Sequence, residues 1–234
     1  GILGSLGGIL AFQIDVFMVA NLLTLYAASV YSISLFIANT IDIPLRAIFS
    51  ITSPIVSKAW KEDNMQEIND LYKRSSINLF LFGSFLFLVI WLNLDDLYAL
   101  LPEGNKLIDG KYVILFLGLA KLVDQLTSIN GAIINYSKYY RFNFFAVLVL
   151  SVLNITLNII LIPRFDVVGA AIATMTSIIL FNLLKVLYIY FRMGLQPFTW
   201  KTVWVILIAL ACYGLVAFLP LTSYLLLNMI MRGI

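Results

Sequence analysis

The stretch SINLFLFGSFLFLVIWLNL, residues Ser76–Leu94, runs for 19 residues without a charged side chain. A helix of that length rises about 28 Å at ~1.5 Å per residue, close to the ~30 Å hydrocarbon thickness of a bilayer. Similar runs flank it on both sides. Reading outward, the sequence predicts helices over Ile2–Leu23, Ala27–Ser53, Ser76–Leu94, Tyr112–Ile134, Phe142–Ile162, Val168–Phe191 and Thr202–Leu219, with a stub beginning at Leu221. The composition agrees. Hydrophobic residues make up 62% of the chain and charged residues 12%, whereas soluble domains hold about 45–50% and about 25%. The mean hydropathy is +1.00, and one soluble core does not bury that much apolar surface. The predicted fold class is all-α, a multi-span transmembrane helical bundle.

The net charge is +3, with no histidine and a single cysteine, Cys212, inside an apolar run. No basic block of the kind that binds nucleic acid is present, so no nucleic-acid partner is expected. One cysteine forms no internal disulfide, and the lack of histidine removes the commonest general base and metal ligand. The connections between helices alternate sides. One side carries Lys58, Lys61, Lys73, Arg74, Lys138, Arg141, Arg192 and Lys201; the other carries Lys106, Lys111 and Arg164. The first side is therefore expected to be cytoplasmic, and the acidic loop Asp95–Asp109 external. In the 54–75 connection, Asn64 and Glu67 have capping-box spacing and predict a short helix, either interfacial beside Trp60 or solvated. The sequence opens on Gly1 without Met, and the apolar run Leu221–Met231 is too short to span. Both features lead us to expect a piece of a longer chain, cut at both ends; the alternative is a mature chain with a re-entrant C-terminus.

Ionisable residues inside spans are costly and normally face a bundle interior or a cavity. Asp15 shares one face of the first helix with Gly4, Gly8 and Ala11, so it is expected to point inward, either for packing or for function. On the second helix Asn39, Asp42, Arg46, Ser50 and Ser53 fall within an arc of about 80°. Asp42 and Arg46 are i,i+4 neighbours able to pair, and Pro44 between them frees a backbone carbonyl. The arc either lines a cavity or locks two helices. Lys121, Asp124, Ser128, Gly131 and Asn135 form a similar arc on the fourth helix, and Asn143, Ser151, Asn154 and Asn158 an uncharged stripe on the fifth. The Phe-rich third helix has few polar atoms and is expected to face lipid. Four helices with inward polar faces suggest a hydrophilic cavity, as in a transporter. No P-loop, H-E-x-x-H or G-x-S-x-G pattern occurs, so ATP-driven transport and the common hydrolase chemistries lack their motifs, and no cofactor or metal is implied.

The stretch Asn154-Ile-Thr-Leu-Asn158-Ile-Ile-Leu-Ile-Pro163-Arg-Phe-Asp-Val-Val-Gly169-Ala-Ala-Ile-Ala-Thr174 resembles a signature of the polysaccharide (oligosaccharidyl-lipid) flippase family. That family belongs to the multidrug/oligosaccharidyl-lipid/polysaccharide exporter superfamily. Asp15-Val-Phe-Met18 followed by Tyr31, then Ile43-Pro44, Ser53-Pro54-Ile-Val-Ser57-Lys-Ala59 and Tyr72-Lys-Arg74 are similar to the helices that begin the family's second half. The resemblance covers about residues 9–191; Asp166 departs from it, since the family often has Gly there.

The resemblance implies that residues 1–191 are the C-terminal six-helix lobe of a two-lobed, MATE-like transporter, and that 192–234 add a further helix and a truncated last one. Its partner would be the N-terminal lobe, its setting the bacterial inner membrane with several passes, and its ligand a polyprenyl-pyrophosphate-linked oligosaccharide for surface polysaccharide or lipopolysaccharide. On this reading Arg46 and Lys121 contact pyrophosphate, Asn39, Asn154 and Asn158 contact sugar hydroxyls, and Asp15, Asp42 or Asp124 carries a coupling ion. The alternatives are an ion-coupled drug or cation antiporter of the same superfamily and a membrane glycan polymerase or ligase. The short acidic external loop argues against the last, so no enzyme is expected.

Overall fold

The computed structural model describes residues 14–100 and 104–217, and no strand occurs among them. The first helix, α1, covers residues 14–22 of the described chain. It is followed by α2 (Leu25–Asn39), a 3-10 turn (Thr40–Asp42), α3 (Ile43–Lys61), α4 (Met65–Leu92) and α5 (Leu94–Leu100). A second 3-10 stretch (Gly104–Gly110) leads into α6 (Lys111–Thr127), α7 (Asn130–Tyr136), α8 (Tyr140–Met193) and α9 (Trp200–Ala217). Three stretches are long and apolar enough to cross a membrane, Leu25–Lys61, Met65–Leu92 and Tyr140–Met193. The pair Leu107–Thr127 and Asn130–Tyr136, bent by 49°, makes a fourth if it acts as one span.

Local chemistry explains the boundaries. The Thr24 hydroxyl accepts the Ala27 N–H at 3.0 Å and starts α2. Asn64 caps α4 as its spacing predicts: its Oδ1 accepts the Glu67 N–H at 3.1 Å, and its Nδ2 donates to Glu67 Oε2 at 3.1 Å. Gly194 ends α8 at φ 69°, in the left-handed region that favours glycine. Within α8, Phe165 and Asp166 leave helical geometry, and Asp166 has φ 51°. Residues 20 apart in a straight helix stand about 30 Å apart, yet Asn154 Nδ2 lies 3.3 Å from Thr174 Oγ1. The helix therefore folds back as a hairpin, its first limb ending at Phe165 and its second starting at Asp166. A Cβ on Gly169 would overlap the Leu161 backbone, so glycine sets the closeness of the limbs.

Four expectations change. The 54–75 connection is no separate interfacial helix, because α3 and α4 run on through it and meet at a three-residue turn, residues 62–64. The Asn64 cap begins the same helix that contains Ser76–Leu92. That helix does not simply face lipid. It packs against α3, α6 and α9 and is the most buried of the three long apolar stretches. Its Gly83 leaves room for the Gln125 side chain, whose amide donates to the Ile41 carbonyl. The predicted fourth helix breaks at Ser128, φ 49°, so the arc from Lys121 to Asn135 is not continuous. The carbonyl freed by Pro44, that of Thr40, is not left open but accepts the Ile43 N–H inside the 3-10 turn. Gly4, Gly8, Ala11 and the stub from Leu221 lie outside the described residues.

A small apolar cluster of Leu94, Tyr98 and Ile114 joins α5 to α6, and two larger ones sit at opposite ends. One joins Val19, Ala28, Ala38, Leu117, Ile162 and Ala170 at the end of the α8 bend. The other joins Val56, Ile68, Tyr72, Ile133 and Ile189 at the end rich in Lys and Arg. Buried polar residues, among them Asp42, Lys121, Gln125 and Asn182, are interspersed with apolar ones elsewhere in the bundle.

Candidate functional site

Asp15 on α1 is 2% exposed. Three side chains reach it: Thr174 Oγ1 donates to Oδ2 at 2.6 Å, Asn158 Nδ2 to Oδ1 at 2.7 Å, and the Tyr31 hydroxyl to Oδ2 at 3.3 Å. Asn154 completes the shell, accepting from Asn158 at 3.0 Å and donating to Thr174. All four partners are neutral, and among the described residues no Lys or Arg pairs with Asp15. The hairpin of α8 builds this group, since Asn154 and Asn158 stand on one limb and Thr174 on the other. Asn158 Oδ1 is buried without a hydrogen-bond partner. A buried carboxylate held only by neutral N–H and O–H donors keeps a charge that a proton or a small cation can neutralise.

A second polar group forms between α6 and the 3-10 turn at 40–42. Lys121 on α6 donates to Asp42 Oδ2 at 2.7 Å, and both side chains are nearly buried. Asp42 therefore pairs across helices with Lys121, where single-helix spacing predicts Arg46. Asp124 accepts from Asn182 Nδ2 at 2.7 Å. Asn182 also accepts from Thr127 at 2.8 Å and from Asn130 at 2.9 Å, bridging the break between α6 and α7. The Ser76 hydroxyl donates to the Leu126 carbonyl, and Ser128 donates to Ser75 at 2.7 Å. Broken helices inside an apolar bundle need such replacement partners. Lys185, one turn on from Asn182, is buried with its ammonium 3.9 Å from the Phe181 ring centroid.

Arg46 differs from both groups. It lies exposed on α3, and among the described residues it enters no ion pair. Ser50 and Ser53 continue its face, and the Ser53 hydroxyl shares a 2.8 Å hydrogen bond with that of Tyr136. Nearby, Asn143 donates to Asn135 at 2.8 Å. Asn39 is half-buried at the end of α2, on the far side of the 3-10 turn from Arg46. The predicted residues thus separate into a closed Asp15–Asn154–Asn158 group, a closed Asp42–Lys121 pair with Asp124 beside it, and an open Arg46 face.

Tyr31, Thr174, Asn182 and Lys185 are site residues that spacing alone does not single out as a site. A signal exists: Thr174, Asn182 and Lys185 fall within an arc of about 80° on the second limb. No known protein family matches this chain, and no curated protein is detectably similar to it.

Proposed function

We propose that the chain is one lobe of a bacterial inner-membrane transporter, a MATE-like flippase that moves a polyprenyl-pyrophosphate-linked oligosaccharide for surface polysaccharide synthesis. The observation that carries this reading is the contrast between two cations. Lys121 is engaged by buried Asp42, whereas Arg46 stands open on a polar stripe. A planar guanidinium on such a stripe suits bidentate contact with phosphate oxygens. A second lobe facing that stripe would complete the cavity, with Asn39 near its far end, while the polyprenyl tail stays in lipid. Lys121 and Asp42 are then framework, and Asn154 and Asn158 serve Asp15 in preference to sugar. Asp15 is the coupling residue, because its neutral donor shell leaves its charge available to a proton or monovalent cation; Asp124 supports the α6–α7 break.

Complementation of a strain lacking its own flippase tests this. Arg46→Ala is expected to abolish surface polysaccharide at normal protein level. Wild-type polysaccharide in that variant rejects the pyrophosphate role. A second reading, cation-coupled antiport of a drug, is favoured by the Asp15 group alone. It predicts that Asp15→Asn removes drug resistance while Arg46→Ala leaves it intact.

A further inference from the structure

At the Lys- and Arg-rich end of the bundle a cleft of about 790 Å³ opens between the α3–α4 turn, the α7–α8 connection and the last turn of α8. Its charged lining is Lys61, Lys138 and Arg192 against one acid, Asp63. None of the three cations enters an ion pair among the described residues, and all three are exposed. Three positive charges from three separate elements converge on one cleft and leave an excess of two.

The walls are aromatic and fixed. The Trp60 indole N–H donates to the Ile133 carbonyl at 3.0 Å, which holds the ring at the mouth of α7. Tyr139 packs edge-on against Tyr188 at 5.8 Å, and Phe142 stacks on Tyr188 at 3.7 Å. The Ser137 hydroxyl accepts the Tyr139 N–H at 3.0 Å, so the turn that presents Lys138 is itself tied down. Lys138 lies over the Tyr139 ring at 5.3 Å. Rings and cations mixed at the end of apolar helices are the chemistry of the headgroup layer: tyrosine and tryptophan settle there, and basic pockets between helices hold phosphate-bearing lipids. The cleft also lies within the size range of small-ligand sites, about 300–1,000 Å³.

We propose that this cleft binds a membrane lipid whose headgroup carries two negative charges on phosphate oxygens, at the cytoplasmic leaflet. The excess of two cations matches that charge, and the rings pack against the glycerol or prenyl part next to it. The site does not depend on Arg46 or on the transport reading. Ser57, which lines the cleft, is nonetheless on the same face of α3 as Ser50 and Arg46, so a lipid held here would stand at the foot of that stripe.

The test titrates the purified full chain in neutral detergent with cardiolipin, polyprenyl pyrophosphate, phosphatidylcholine and inorganic pyrophosphate, reading bound lipid by native mass spectrometry. Tight binding of cardiolipin or of polyprenyl pyrophosphate, and weak binding of the other two, is expected; the tighter of the first pair identifies the source of the headgroup. Lys138→Gln and Arg192→Gln should each weaken that binding about fivefold and together about 25-fold, from the usual contribution of one basic residue at a membrane surface. Lys201→Gln, a basic residue outside the cleft lining, should leave it unchanged. Equal binding by all variants, an equal loss in Lys201→Gln, or inorganic pyrophosphate binding as tightly as lipid overturns the proposal. Melting temperature verifies folding. Because both substituted side chains are exposed, the single variants carry the test if the double variant is unstable.

Discussion

Replacing Lys121 by Met probes the polar interior most directly. The pair with Asp42 is 2.7 Å long, and the two side chains are 8% and 12% exposed. Asp42 Oδ1 is already buried without a hydrogen-bond partner, so the loss of Lys121 leaves both carboxylate oxygens unsatisfied. Removing one partner of a buried pair costs about 3–5 kcal/mol, mostly as the uncompensated charge that remains. At roughly 2–4 °C per kcal/mol for a chain of this size, Lys121→Met should lower the melting temperature by about 6–20 °C. The double variant Asp42→Leu/Lys121→Met replaces both charges by apolar groups and should recover most of that loss. Differential scanning fluorimetry in detergent, run as a double-mutant cycle, gives the coupling. An unchanged melting temperature in Lys121→Met, or a double variant as unstable as the sum of its singles, would falsify the assignment of Asp42–Lys121 as framework.

Gly169→Ala should destabilise by about 1–3 kcal/mol, since the added methyl overlaps the Leu161 backbone and forces the limbs of α8 apart; a thermal melt equal to wild type removes the close approach. Asp166→Gly should raise the melting temperature by a few degrees. Its φ of 51° and ψ of −139° cost a residue with a Cβ about 1–3 kcal/mol, more than the flexibility glycine adds to the unfolded chain. Asn182→Leu should loosen the α6–α7 junction, because Thr127, Asn130 and Asp124 all lose a partner at once. Faster amide exchange over residues 127–136 is the readout, and unchanged protection there argues that the break holds itself.

Periodicity carried the reading where structure is local. The Asn64–Glu67 cap, the turn between Ile162 and Val168, and the inward direction of Asp15 depend on neighbours within a turn or two of helix. Partners across helices were illegible for the same reason. Spacing offers Arg46 to Asp42, but the ion pair that Asp42 forms, with Lys121, spans 79 residues. A wheel diagram also assumes an unbroken helix. It carries the Lys121 arc to Asn135, whereas Ser128 at positive φ turns the chain aside. The absence of charge in Ser76–Leu94 suggested a lipid face. Burial inside an apolar bundle needs the same composition, and the small residues Gly83 and Ser84 were the sign that neighbours come close.

The breaks and the charges have a common cause. Each interruption of a long apolar helix strands backbone groups or turns a side chain inward, and each is met by polar atoms from another element. The 3-10 turn at 40–42 has Lys121 and Gln125 of α6 against it. The break at Ser128 has Ser75, Ser76 and Asn182. The hairpin of α8 lets Asn158 and Thr174 close on Asp15 from opposite limbs. The first two assemblies tie helix breaks to a neighbouring helix, through the Lys121–Asp42 ion pair in one and Asn182 in the other, and their substitutions should register as stability. Asp15 with its neutral shell and Arg46, which enters no ion pair among the described residues, are the exceptions. A carboxylate retained in an apolar bundle without a basic partner is costly, and no stability argument accounts for an exposed arginine part-way along an apolar helix. If the proposed transport function holds, those two residues are where substitution should change it while the fold remains.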